Sequence, residues 1–240
     1  MKNVSSRFSV PGLGMAFLLV LVCLLIAPAL VSVTDGAVRG RVTIHRKVGA
    51  NFKPKADHSG AVVFVAGYAT APPAQTVKLV QRGRSFEPEI LPVVRGQVVE
   101  FPNLDEIYHN VFSISRARNF DLGLYKKWDP PRKVKFDNLG LVQVYCNIHP
   151  EMQAAILVLE NDAFAETRKD GSFHMDNVRP GTHEIRAWCA RGELVREKIT
   201  VVAGKETVVN LSLHETLPLV EHKRKDGTDY PSSHDDTPFY

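Results

Sequence analysis

The chain has 240 residues, a formal charge of +4, and charged and apolar fractions of 23% and 44%. That is enough sequence for one or two domains with adequate cores, and the balance is that of a globular protein. So mild a positive charge gives no electrostatic case for nucleic acid as a partner.

Lys2 and Arg7 precede an apolar run, Met15 to Leu30, with the small residues Ala27, Ala29, Ser32 and Ala37 around and beyond its end, the pattern of a secretory signal. With its flanks, 11 to 33, the run is also nearly long enough to span a bilayer. Residues 1–36 are therefore either a signal peptide or an N-terminal anchor. Both place the remainder outside the cytoplasm, in a periplasmic or other extracytoplasmic compartment. Cys23 within the run reads as hydrophobic filler. Ala37 to Ile44 alternates around Gly40 and predicts a strand. Ala61 to Gly67 is continuously apolar and rich in β-branched residues, which predicts a buried strand, ended by Ala71-Pro72-Pro73. Short β segments follow at 77–80, 85–93 and 97–101, then 120–125, 134–140, 141–146 and 155–159. With a turn at Arg95-Gly96 among them, they predict an antiparallel sandwich with Greek-key connections. Residues 163–213 are again β, with Asp170-Gly171 and Pro180-Gly181 as turns and Phe173, Ile185, Val195, Ile199, Val201, Val209, Leu211 and Leu213 as core. Cys189 shares a face with Ile185 and Ala187 and reads as a buried free thiol. From about Glu215 the hydrophobic periodicity ends, and 215–240 reads as a disordered tail with His222 and His234 in solvent.

The chemistry concentrates at Cys146, His149 and Met152, three residues apart. In Leu141 to Cys146 the residues Val142, Val144 and Cys146 share a face, so a strand that buries the valines carries the thiol inward. His149 and Met152 follow on a turn broken by Pro150. A soft thiolate, an imidazole and a thioether suit copper better than other biological metals, and such a site normally needs a second histidine. His109, in the stretch Phe101 to Ser113, is the candidate. Zinc competes, yet a thioether is a poor zinc ligand and structural zinc sites usually carry more thiolates. Taken singly, the cysteine and methionine are ordinary core residues and the histidines ordinary loop residues. Their joint spacing after a strand is what points to a metal.

The His109-Asn110 pair, the Cys146-x-x-His149-x-x-Met152 loop and the His149-Pro150 step within it resemble the cupredoxins, in particular the amicyanin and plastocyanin group, over roughly 76–160. The resemblance implies one type 1 copper ion, with His109, Cys146 and His149 as equatorial ligands and Met152 as the weak axial one. Asn110 would stabilise the thiolate and tie the two ligand loops together. Ile148 departs from the family, where proline is frequent. Thr167 to Phe173 followed by Asn177 to His183 resembles the carboxypeptidase regulatory-like, transthyretin-like domains, which normally open with a Gly-x-Val strand and a Val-rich strand. Residues 38–44 and 61–67 offer both. The expected fold is thus all-β: a cupredoxin Greek-key β-sandwich over 74–160, inserted in or joined to a second small transthyretin-like β-sandwich built from 37–73 and 161–214.

The implied function is that of an extracytoplasmic one-electron carrier. No second histidine-rich centre with an open position is visible, so an enzyme is not expected. A copper scavenging, storage or delivery protein of the cell envelope, and a structural or binding module with a metal-stapled fold, are the alternatives. Arg116, Arg118, Lys126, Lys127, Arg132, Lys133 and Lys135, between the ligand loops, form either a solvated face or a docking surface for an acidic redox partner. Membrane contact is expected only through the N-terminal anchor.

Overall fold

A computed structural model describes residues 34–218 and 222–231. The apolar N-terminal run with Cys23, and His234 at the far end, lie outside the described residues. The described residues contain eighteen strands and no helix, so none is long and apolar enough to cross a membrane.

In chain order, β1 (Gly36–Val48) turns back into β2 (Asn51–Pro54), and β3 (Ala61–Ala66) follows. Then come β4 (Val77–Lys78), β5 (Val80–Arg82), β6 (Ser85–Glu87), β7 (Ile90–Val94), β8 (Val98–Phe101), β9 (His109–Ser115) and β10 (Arg118–Tyr125). After these run β11 (Arg132–Lys135), β12 (Gly140–Cys146) and β13 (Gln153–Leu159). The last group is β14 (Phe164–Glu166), β15 (Ser172–Val178), β16 (Gly181–Cys189), β17 (Val195–Val201) and β18 (Glu206–Glu215).

Five of the middle strands form a sheet in the order β10-β9-β12-β13-β7, and β11-β8-β4 form a second one. Between them lies a core that includes Leu79, Phe101, Tyr125, Phe136, Val142, Val144, Cys146, Met152 and Ile156. The first and last strands make the other two layers, β15-β1-β18 with β2 beside β1, and β14-β3-β16-β17. Val38, Val42, Phe173, Ile185, Leu211 and Leu213 are among the side chains packed between these layers. β1 and β3 thus take their partners, apart from β2, from strands that follow residue 160.

β3 explains why its sequence is continuously apolar. Ala61, Val63 and Val65 face the core of their own sandwich, while Val62 and Phe64 face Leu157, Leu159 and Trp188 in a third cluster. All six residues are buried because both faces are covered. β13 divides in the same way, with Ala154, Ile156 and Val158 in the core of the middle sandwich and Ala155, Leu157 and Leu159 in the third cluster. One glycine is needed for close approach. Gly40 sits opposite Phe173 on one side and Val209 on the other, and a Cβ there would lie 1.5 Å from the Val209 carbonyl oxygen.

Candidate metal centre

Strand register brings the first two donors together. Cys146 at the end of β12 is opposite Val111 of β9. His109 lies two residues from Val111, hence on the same inward face as the thiol. The loop after Cys146 is closed on itself, because Met152 N donates to His149 O at 3.1 Å and Cys146 N to Met152 O at 3.1 Å. Asn147 N donates to Asn110 O at 2.9 Å, which pins this loop to the start of β9.

The result is a triangle of donor atoms. His109 Nδ1 and His149 Nδ1 are 3.0 Å apart, and Cys146 Sγ lies 3.9 Å from the first and 3.7 Å from the second. Donors held at about 2.0–2.3 Å from one ion span roughly 3–4 Å between themselves, so the edges match a shared metal. Cys146, His109 and Met152 are fully buried, and His149 is half-buried. Met152 packs in the same core as Cys146.

Burial also sets the protonation states. It pushes the Cys146 thiol up, against hydrogen bonds from the backbone of Asn110, Ile148 and His149 that pull the other way. It pushes His109 down, against the hydrogen bond and charge of Asp105. His149 is pushed down to about 4 by burial, then by the neighbouring His109 and Arg84. Both imidazoles are therefore neutral near pH 7, the form in which they ligate.

Asp105 was not among the residues the sequence singles out, and it fixes His109. Its Oδ2 is 2.9 Å from His109 Nε2, and its carboxylate also accepts from Gly83 N at 2.8 Å and Arg84 N at 3.1 Å. Burial opposes ionisation of Asp105, but these hydrogen bonds outweigh it and hold the carboxyl below its usual range. An ionised carboxylate only accepts, so the proton must sit on His109 Nε2 and the lone pair on Nδ1, facing the sulfur. A carboxylate four residues before the histidine was the available signal.

No protein-family model and no curated protein matches the chain. Part of it is similar to solved copper proteins. A reduced Cu(I) form of an amicyanin variant is 18% identical, with 40% of this chain covering 97% of that one at a TM-score of 0.33. A purple cupredoxin from Nitrosopumilus maritimus is 20% identical over 35% of this chain and 97% of its own, at a TM-score of 0.30. A Cu-containing nitrite reductase from Thermus scotoductus SA-01 is 26% identical over 40% of this chain and 25% of its own, at 0.33. The likeness spans less than half of this chain, and what the site can hold follows from its own donor atoms.

Asn110 is buried, and its side chain donates to Asp121 Oδ1 at 2.6 Å and Gly123 O at 3.1 Å. Its carbonyl is the one that receives Asn147 N. Of the basic residues between the loops, Lys127, Lys133 and Lys135 are each within 4 Å of a carboxylate, those of Glu106, Glu100 and Asp137. Lys126 lies over the Tyr108 ring and Lys127 over Trp128, which is 84% exposed.

The stretch expected to be a disordered tail needs correction over its described part. Glu215 still belongs to β18, and within 222–231 His222 and Tyr230 are half-buried beside the loop after Cys146, while most of the other residues are exposed. His222 is half-buried, its ring stacked on Tyr145 at 4.2 Å. Composition failed here because the segment is held by specific polar and aromatic contacts, with no apolar area of its own to betray it.

Proposed function

We propose that this chain is a type 1 copper protein that carries single electrons outside the cytoplasm. The observation that carries the reading is the buried triangle of two imidazole nitrogens and one thiol sulfur, with edges of 3.0, 3.7 and 3.9 Å. His109, Cys146 and His149 would hold the ion, with Met152 from the same core as a weaker fourth donor, a set that favours copper over zinc. When bound, copper supplies a one-electron couple. The protein's part is to keep the donors still. Asp105 holds the His109 ring, Asn110 O holds the loop through Asn147, and the Cys146 sulfur receives Ile148 N at 3.5 Å. A donor set fixed in this way has little to rearrange when the charge on the site changes. Cys146, His109 and Met152 are buried, which supports a carrier that needs no substrate at the ion.

Lys126 and Lys127, stacked on Tyr108 and Trp128 beside the His109 loop, support the reading of that face as the one met by an acidic redox partner. The pairing of β1 and β3 with strands after residue 160 supports a discontinuous regulatory-like domain, with the copper sandwich inserted in it. The basic and apolar N-terminal pattern supports export.

Copper-reconstituted protein should show an intense thiolate-to-copper absorption in the visible and a reversible one-electron couple, both absent in Cys146→Ala. Stoichiometric copper without that absorption would sink the carrier reading. An electron-exchange rate indifferent to ionic strength would remove the acidic partner.

A further inference from the structure

After β18, residues 216–218 lie at the second sandwich, and 222–231 lie against the loop after Cys146 in the first. Leu217 N donates to Arg191 O at 3.0 Å and fixes where it leaves. Further on, Arg224 and Thr228 close a tight turn, with Arg224 N donating to Thr228 O at 2.9 Å and Gly227 N to Arg224 O at 2.9 Å. Gly227 supplies the left-handed conformation, φ +84°, and Asp226 Oδ1 accepts from Thr228 N at 3.0 Å. The turn is thus locally specified.

From it, contacts reach both sides of Cys146. The His222 ring lies on Tyr145, centroids 4.2 Å apart and planes 22° apart, and Tyr230 meets His222 edge-on at 5.2 Å. Tyr230 Oη donates to the carbonyl oxygen of Cys146. Lys225 N donates to Asn147 Oδ1 at 2.8 Å, and Lys225 Nζ is 2.5 Å from Asp121 Oδ2. Asp121 in turn accepts from Asn110 Nδ2. Tyr145, Cys146, Asn147 and, through Asp121, Asn110 are therefore all gripped by one short segment.

We propose that residues 222–231 are a clamp on the metal loop, in which His222 and Tyr230 are positioning residues for Tyr145 and Cys146 and set how fast the site gives up its metal. The retention half rests on the copper reading, whereas the clamp itself acts on the metal-free chain too. The loop must open for the metal to leave, and opening breaks the Tyr230 hydrogen bond and the His222 stack. Each is worth about a fivefold change in the opening equilibrium.

The test uses the full chain with Tyr230→Phe, which removes one hydroxyl, His222→Ala, and the two together. In the metal-free protein, hydrogen exchange at the amides of Asn147 and Met152 should be about fivefold faster in each single variant and on the order of twentyfold faster in the double. Because the same bond is broken in the unfolded chain, the global unfolding midpoint of Tyr230→Phe should fall by no more than about 2–4 °C. His222→Phe, which keeps a ring on Tyr145, should restore slow exchange, an outcome that a general loosening of the fold would not give. In copper-loaded protein, loss of the visible absorption to a Cu(I) chelator should accelerate by the same factors. Exchange at both amides within twofold of the parent in all variants overturns the clamp, whether or not copper binds. Faster exchange with unchanged copper loss overturns its role in retention. A parent chain that takes up no copper refutes the carrier reading instead, and the exchange result still decides the clamp.

Discussion

Replacing Asp105 by asparagine tests the logic of the site at one atom. The carboxylate receives three N–H groups, from Gly83 at 2.8 Å, Arg84 at 3.1 Å and His109 Nε2 at 2.9 Å. An asparagine amide keeps one acceptor oxygen and presents two hydrogens. If the oxygen stays with Gly83, the amide NH2 faces Arg84 N and His109 Nε2, and two donors oppose each other. His109 can relieve this only by accepting at Nε2, which moves its proton to Nδ1, the nitrogen 3.9 Å from Cys146 Sγ. The lone pair needed for ligation is then lost. If the amide flips instead, Gly83 N loses its acceptor. A stranded donor of this kind costs about 1–3 kcal/mol, and removal of the carboxylate behind a ligating histidine typically lowers metal affinity about 10–100-fold. The two ranges agree, since tenfold is about 1.4 kcal/mol. Competition between Asp105→Asn and a chelator at pH 7 should therefore show copper bound at least about tenfold more weakly than by the parent. Unfolding of the metal-free variant serves as the control. A folded variant whose copper affinity lies within threefold of the parent would refute the tautomer argument.

Three further outcomes follow from contacts already described. Asn110→Ala strips the hydrogen bonds to Asp121 Oδ1 and Gly123 O from a buried position and should cost about 1–3 kcal/mol in urea unfolding; a loss under about 0.5 kcal/mol would mean that the side chain ties nothing. Gly40→Ala drives a methyl into the Val209 carbonyl in the middle of the β15-β1-β18 sheet and should lower stability by about 3 kcal/mol or more, read as a shifted denaturation midpoint. For the metal-free protein, His149 and His109 are held below their usual range when folded, so the unfolded chain binds more protons below its own value near 6.5. Stability should then be level above that pH as far as these groups are concerned, and fall as the pH drops from about 6.5 toward 4. A slope of equal size in a variant with both histidines replaced by glutamine would assign the effect elsewhere.

The three donor residues could be picked out from the chain because each is local to a strong pattern. Cys146 ends an alternating strand, His149 lies three residues on, and His109 is followed by Asn110. β12 was legible for the same reason, as was β3, whose unbroken apolar run is what two covered faces require, whereas β9, which carries His109, was read as a loop. Asp105 was hidden because an exposed-looking Leu-Asp-Glu loop gives no sign that one carboxylate turns inward to meet the backbone of the hairpin at Gly83 and Arg84. The clamp was hidden because what holds it is distant in sequence: Tyr230 reaches a carbonyl 84 positions away. Polar composition reports how little a segment can bury, and is silent about a ring that finds a single matching surface.

β1 is flanked by β15 and β18, both of which the chain delivers only after the whole middle sandwich, with its His109, Cys146 and His149, has been made. The strands of that sandwich, by contrast, find their sheet partners among themselves, within 77–159. During synthesis, or in a product cut short before residue 164, that site would be complete while β1, apart from its hairpin with β2, and β3 wait with open edges. An interrupted copy of this chain would pair an intact donor triangle with a stump prone to aggregate, so solubility and copper uptake should part company in C-terminal deletions.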